Sequence, residues 1–103
     1  MADVTVVYWR DIPAQVIVGR GRKAAKLPLP ERFEQAIDRA AMTSGLAGTD
    51  DYLAQWRRAE PFAAEGEDGE IATREAAKLD AEYDTERLKA LISNGGHAPD
   101  HKG

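Results

Sequence analysis

Residues 4 to 26 read VTVVYWRDIPAQVIVGRGRKAAK, two runs rich in β-branched and aromatic residues on either side of Asp11-Ile12-Pro13. Val4, Val6 and Tyr8 alternate with Thr5, Val7 and Trp9, and Val16 and Val18 flank Ile17. Period-two runs of this kind are strands, and apolar residues on both faces mean one face fully covered and the other partly so. Pro13 has no N–H to give a ladder, which places it in the turn or at a strand start. The reading is a β-hairpin with strands over about 3–10 and 14–20. A lone two-stranded ribbon is marginal in water. It must pack on helices, pair with a second copy, or extend a partner's sheet.

Helical patterns follow. Residues 21–30 form a connector ending in Leu27-Pro28-Leu29-Pro30, and Pro30 suits a first helical turn. Phe33, Ala36, Ile37, Ala40 and Ala41 recur at helical spacing over Glu31 to Met42, with Glu31 and Glu34 at the end where the helix dipole favours anions. Thr49 or Asp50 caps a second expected helix, about 50–59, with Tyr52, Leu53 and Trp56 on one side. A third pattern runs from Glu70 to Ile92. Its apolar stripes align poorly, which leaves open a break near Asp84-Thr85 with Asp84 as cap. Gly95 and Gly96 end it, and a disordered tail is expected beyond. The fold class is therefore α+β: an N-terminal antiparallel β-hairpin followed by three helices, the last long and acidic. The segments are a hairpin plus two-helix core over 1–60, an acidic helical extension over 61–93, and the tail over 94–103.

The chain's 103 residues suffice for one small domain. Cysteine is absent, which excludes disulfides, thiolate nucleophiles and Cys-ligated metal and points to the cytoplasm. The opening Met-Ala-Asp-Val-Thr lacks the basic and apolar regions of a signal peptide, and no apolar run spans a bilayer. The net charge of −4 is uneven. Residues 1–58 hold nine Lys/Arg and seven Asp/Glu, whereas residues 59–103 hold five and eleven. Such a chain lacks the broad basic face that nucleic acid demands, although a local basic loop can still hold one anion.

The block Tyr8-Trp9-Arg10-Asp11-Ile12-Pro13-Ala14-Gln15-Val16, followed by Gly19-Arg20-Gly21-Arg22-Lys23, Pro30-Glu31-Arg32-Phe33 and Tyr52-Leu53-x-x-Trp56, resembles a small bacterial family named virulence factor. Its members are short standalone proteins, and a similar domain sits beside other modules in larger conserved virulence factor proteins of Gram-positive bacteria. The resemblance covers roughly residues 3–60, and the remainder looks like a variable extension. The family name supplies no reaction and no catalytic residue. Occurrence beside other modules implies an accessory or interaction role.

Three features compete for that role. The loop holding Gly19, Arg20, Gly21, Arg22, Lys23 and Lys26 has glycines that let backbone approach an anion and cations to bind it. It could equally be a solvated hairpin exit whose charges blunt a strand edge. It lacks the Gly-Lys-Ser/Thr of a phosphate-binding loop and the third glycine of a dinucleotide fingerprint. The aromatics Tyr8, Trp9, Phe33, Tyr52 and Trp56 read mainly as core, with Trp9 an interface anchor if it faces out. Arg10, Asp11 and Gln15 surround the turn, where an Asp most simply braces the turn through a cross-strand ion pair. His97 and His101 are separated by Pro99, which argues against a helical metal pair.

The expected function is a non-enzymatic accessory, protein-interaction module of a cytoplasmic bacterial assembly, without cofactor, metal or catalytic set. The expected contact surface is Trp9, Arg10, Gln15, Arg20, Arg22 and Lys23, and the partner is another protein or a second copy joined through the hairpin. The alternative is a phosphate-bearing ligand or nucleic acid held by the Gly19–Lys26 loop.

Overall fold

In a computed structural model, which describes residues 2–19 and 21–98, the hairpin forms as β1 (Ala2–Trp9) and β2 (Ile12–Val18). Trp9 pairs with Ile12, so the loop is only Arg10-Asp11. Tight hairpin loops require a positive φ, and Arg10 adopts one (55°) despite carrying a side chain. That conformation is pinned on three sides. The Arg10 amide donates to the Gln55 carbonyl (3.1 Å), Nε to Gln55 Oε1 (3.1 Å) and Nη1 to the Gly95 carbonyl (2.7 Å). The register then jumps between Val7↔Gln15 and Tyr8↔Pro13, leaving Ala14 as a bulge. A bulge is where a strand tolerates proline, which explains the place of Pro13.

The hairpin is not alone. Three short strands that the sequence reading missed extend it into a five-stranded antiparallel sheet of order β3-β2-β1-β4, with β5 also on β1. Strand β3 (Ala25–Pro28) replaces the expected connector and pairs with β2. An edge strand needs hydrogen bonds on one side only, so Pro28 is tolerated there. Helix α1 (Glu31–Thr43) matches expectation. The second helix does not run to residue 59. Helix α2 (Asp50–Ala54) stops early, and Trp56 belongs to β4 (Trp56–Arg58), which returns alongside Val7–Trp9. The Ala59 amide continues the ladder to the Val6 carbonyl (2.9 Å), and after Pro61, β5 (Phe62–Ala64) pairs with Ala2–Val4. Both edges of the hairpin are thus paired by the chain itself, and the sheet's outer edges are β3 on one side and β4 and β5 on the other.

The expected long acidic helix is two helices, making four in all among the described residues. Helix α3 (Asp68–Glu82) ends at Tyr83, and α4 (Thr85–Ser93) starts where the Asp84 carboxylate accepts the Arg87 amide (2.9 Å). An N-cap of this kind satisfies a donor the helix would otherwise leave unpaired. All the long helices lie on one face of the sheet. One hydrophobic cluster joins Val4, Val16 and Val18 to Phe33, Ile37 and Ala40 of α1, Ile71, Ala72 and Ala76 of α3, and Leu88 and Leu91 of α4. A boundary at residue 60 therefore has no counterpart in the packing: α3 and α4 complete the core that the sheet begins. Across the helix layer, Arg32 clamps Asp80 through Nε (3.2 Å) and Nη2 (2.6 Å).

Residues 94–98 are also built into the fold rather than forming a loose tail. The Asp11 amide donates to the Gly96 carbonyl (2.8 Å), and the Ala98 amide donates to the Asp11 carboxylate (2.6 Å). Gly96 has φ of 94°, and a Cβ there would sit 2.8 Å from Trp9 Cζ3, so only glycine fits. The rest of the expected tail, with His101, lies outside the described residues. Among the described residues, no helix is long and apolar enough to cross a membrane.

Candidate interaction surface

Antiparallel partners share a face, so the registers define what the helix-free side presents. Pro28, Gln15, Val7 and Arg58 form one row across the sheet, and Lys26, Ile17 and Thr5 form the next. Two shallow clefts lie along this face. One, of about 550 Å³, is walled by Val7, Ala14, Gln15, Trp56, Arg57 and Arg58. The other, of about 490 Å³, includes Thr5, Ile17, Gly19, Gly21, Lys26 and Arg58. No α-helical residue lines either, and Arg58 is common to both. Trp56 leaves 37% of its surface to solvent at the end of this face, where its ring packs edge-on against Tyr52 of α2 (centroids 6.1 Å).

The expected contact residues meet this surface unevenly. Gln15 lies at its centre. Arg22 and Lys23 are exposed on the 3-10 turn Gly21–Lys23 beside the second cleft. Arg20 lies outside the described residues. Trp9 has no exposed surface at all: its ring is sealed against Tyr52 (centroids 5.5 Å) and Gly96, and its Nε1 donates to the Tyr52 carbonyl (2.9 Å). Burial of that kind makes it a core residue and removes it from any contact set. Arg10 is half-buried and committed to Gln55 and Gly95, which makes it a brace. Of the loop proposed to hold an anion, Gly19, Gly21 and Lys26 do converge on one cleft. Asp3, Thr5, Ile17, Ala24, Arg58 of β4 and Pro61 complete that cleft, and none of them is among the residues expected to hold the anion. The triplet Trp56-Arg57-Arg58 was the available signal, an aromatic followed by paired cations.

A third cleft, of about 560 Å³, lies on the covered side between β1, β4 and α4. Arg57 stacks over Tyr8 (4.7 Å) and Arg87 over Tyr83 (3.9 Å). Burial, and then Tyr83, push the Tyr8 hydroxyl above its ordinary pKa against the opposing charge of Arg57. Its polar groups are already engaged. Arg57 donates to the Arg10 carbonyl (2.9 Å) and to Asp11 (3.0 Å), the cross-strand ion pair expected of a turn-bracing Asp, and Arg87 donates to the Glu82 carbonyl (3.3 Å). This cleft holds the hairpin against α4.

With that geometry established, the model of the virulence factor family matches residues 7–92. The chain belongs to the virulence factor family. The match runs well beyond residue 60, so the family domain takes in β4, β5, α3 and nearly all of α4. No curated protein and no solved structure matches the chain.

Proposed function

We propose that this virulence factor domain is a non-enzymatic accessory module of a cytoplasmic bacterial assembly that docks a protein partner on the helix-free face of its sheet. One observation carries the reading: two adjoining clefts, sharing Arg58 and walled by Val7, Gln15 and the exposed Trp56, on the face that the chain's own helices leave uncovered. Small domains normally hide such surface or use it. The groups presented there, Thr5, Gln15, Lys26 and Arg58, bind and orient; they include no nucleophile paired with a base. The test is capture from an extract of the producing cell with tagged full-length chain and with Val7→Glu. Partners held by the first and lost by the second, at unchanged melting temperature, support docking on this face. Equal capture by both rejects it.

A second reading has its own support. Gly19, Gly21, Lys26, Arg58 and Thr5 around one cleft suit a phosphate-bearing ligand. That reading requires saturable binding of such a ligand, with steep salt dependence and loss in the Lys26→Ala, Arg58→Ala double variant.

A further inference from the structure

We infer that the occupant of the helix-free face is an acidic, extended segment of a partner protein, one apolar side chain seated beside Trp56 and flanking carboxylates on Arg58 and Lys26. The inference rests on the docking role above and names the partner's chemistry. Its first ground is segregation of charge. Residues 2–19, 21–28 and 56–64, which build the sheet and its turns, hold six Lys/Arg and three Asp/Glu; the other described residues hold six and fourteen. An acidic segment is repelled by the helix layer and drawn to the sheet, which fixes the side on which it lands.

The second ground is which cations remain available. Arg10, Arg32, Arg57, Arg74 and Arg87 all donate to acceptors within the protein. The side chains of Arg58 and Lys26 make no hydrogen bond or ion pair among the described residues, and both line the clefts. Asp3 also lines the second cleft, beside Lys26 and Arg58, and is itself engaged within the protein. The third ground is shape. The first cleft is walled by Val7, Ala14 and the Trp56 ring, and the second by Thr5, Gly19, Gly21 and Lys26, with Arg58 between them. In an extended chain, side chains on one face recur every second residue, about 6.5–7 Å apart. An apolar residue with Asp or Glu two positions away therefore addresses both clefts at once.

The probe is a blocked decapeptide alternating glutamate with leucine, titrated into the full-length protein and read by the fluorescence of Trp56, the sealed Trp9 serving as internal reference. Saturable binding that weakens with salt, and falls about tenfold or more in Lys26→Glu, Arg58→Glu, is expected. A lysine–leucine peptide should bind that variant and not the wild type. Equal binding of a glutamine–leucine peptide, or no effect of the double substitution, overturns the inference. So does a titration in which inorganic phosphate alone saturates the site and the acidic peptide does not, or sedimentation showing a second copy on this face at micromolar concentration. The two claims fail separately. If capture from extract is lost in Val7→Glu but retained in Lys26→Glu, Arg58→Glu, docking survives and the acidic partner does not; if neither variant alters capture, both fall.

Discussion

The two sides of the sheet are built from alternate residues of the same strands, yet they meet different surroundings. Val4, Val16 and Val18 are sealed under α1, α3 and α4, whereas Val7, Gln15 and Arg58, one position out of phase, face solvent. Stability should therefore follow the covered side and binding the uncovered one, with little overlap. Trp9 is the exception: it pairs with Trp56 and shares the parity of Val7, yet Tyr52 of α2 and Gly96 seal it, so the sharpest test of the division is Trp9→Ala. It removes a fully buried indole and its hydrogen bond, and should cost about 3–5 kcal/mol in denaturant unfolding. A loss below about 1 kcal/mol would mean the hairpin end is not part of the core. Gly96→Ala comes next. The added methyl meets Trp9 in a backbone conformation that opposes it, and should cost about 1–3 kcal/mol. Asp84→Ala removes the cap between α3 and α4 and should cost about 1 kcal/mol, seen as a modest drop in melting temperature.

On the uncovered side the expectation reverses. Arg58→Glu should leave unfolding free energy within about 0.5 kcal/mol of wild type while abolishing acidic-peptide binding. A large stability change there would show that the face is structural after all. The smallest effect concerns the tyrosines. Burial raises the pKa of Tyr8, and of Tyr52, above the usual value. The folded protein then keeps protons that the unfolded chain releases at about pH 10. The stabilisation is complete below that pH and is lost as pH rises through the folded values. Stability should decline above pH 10, less steeply in Tyr8→Phe, followed by chemical unfolding across an alkaline series.

The hairpin was legible because strict alternation over seven or eight residues has few other readings, and α1 because five apolar residues kept one helical phase. The Asp84 break was legible as an option, since an N-cap residue interrupted two misaligned stripes. Strands β3, β4 and β5 were not. Three residues of Trp56-Arg57-Arg58 or Phe62-Ala63-Ala64 carry no measurable period, and Pro28 argued against a strand that is permitted only because it lies at the edge. The residues of the two clefts were half legible for the same reason. Gln15 and Lys26 lie on recognisable or adjacent segments, but Arg58 joins them only through pairing with residues some fifty positions earlier. Trp9 was misplaced because alternation puts it on the face of Val7 and Arg58, and the cover that seals it there comes from Tyr52 and Gly96, remote in sequence.

The clasp between Arg10 and Gly95 spans 85 positions. On the ribosome the N-terminal ribbon emerges long before the glycine pair that steadies its bend. Until residues 94–98 leave the exit tunnel, Arg10 must hold its unfavourable backbone angle with only Gln55 to help, and Trp9 has no lid. Closure of this end of the domain therefore awaits the synthesis of residues 94–98, and a nascent chain arrested before Gly95 should leave its indole accessible to quencher.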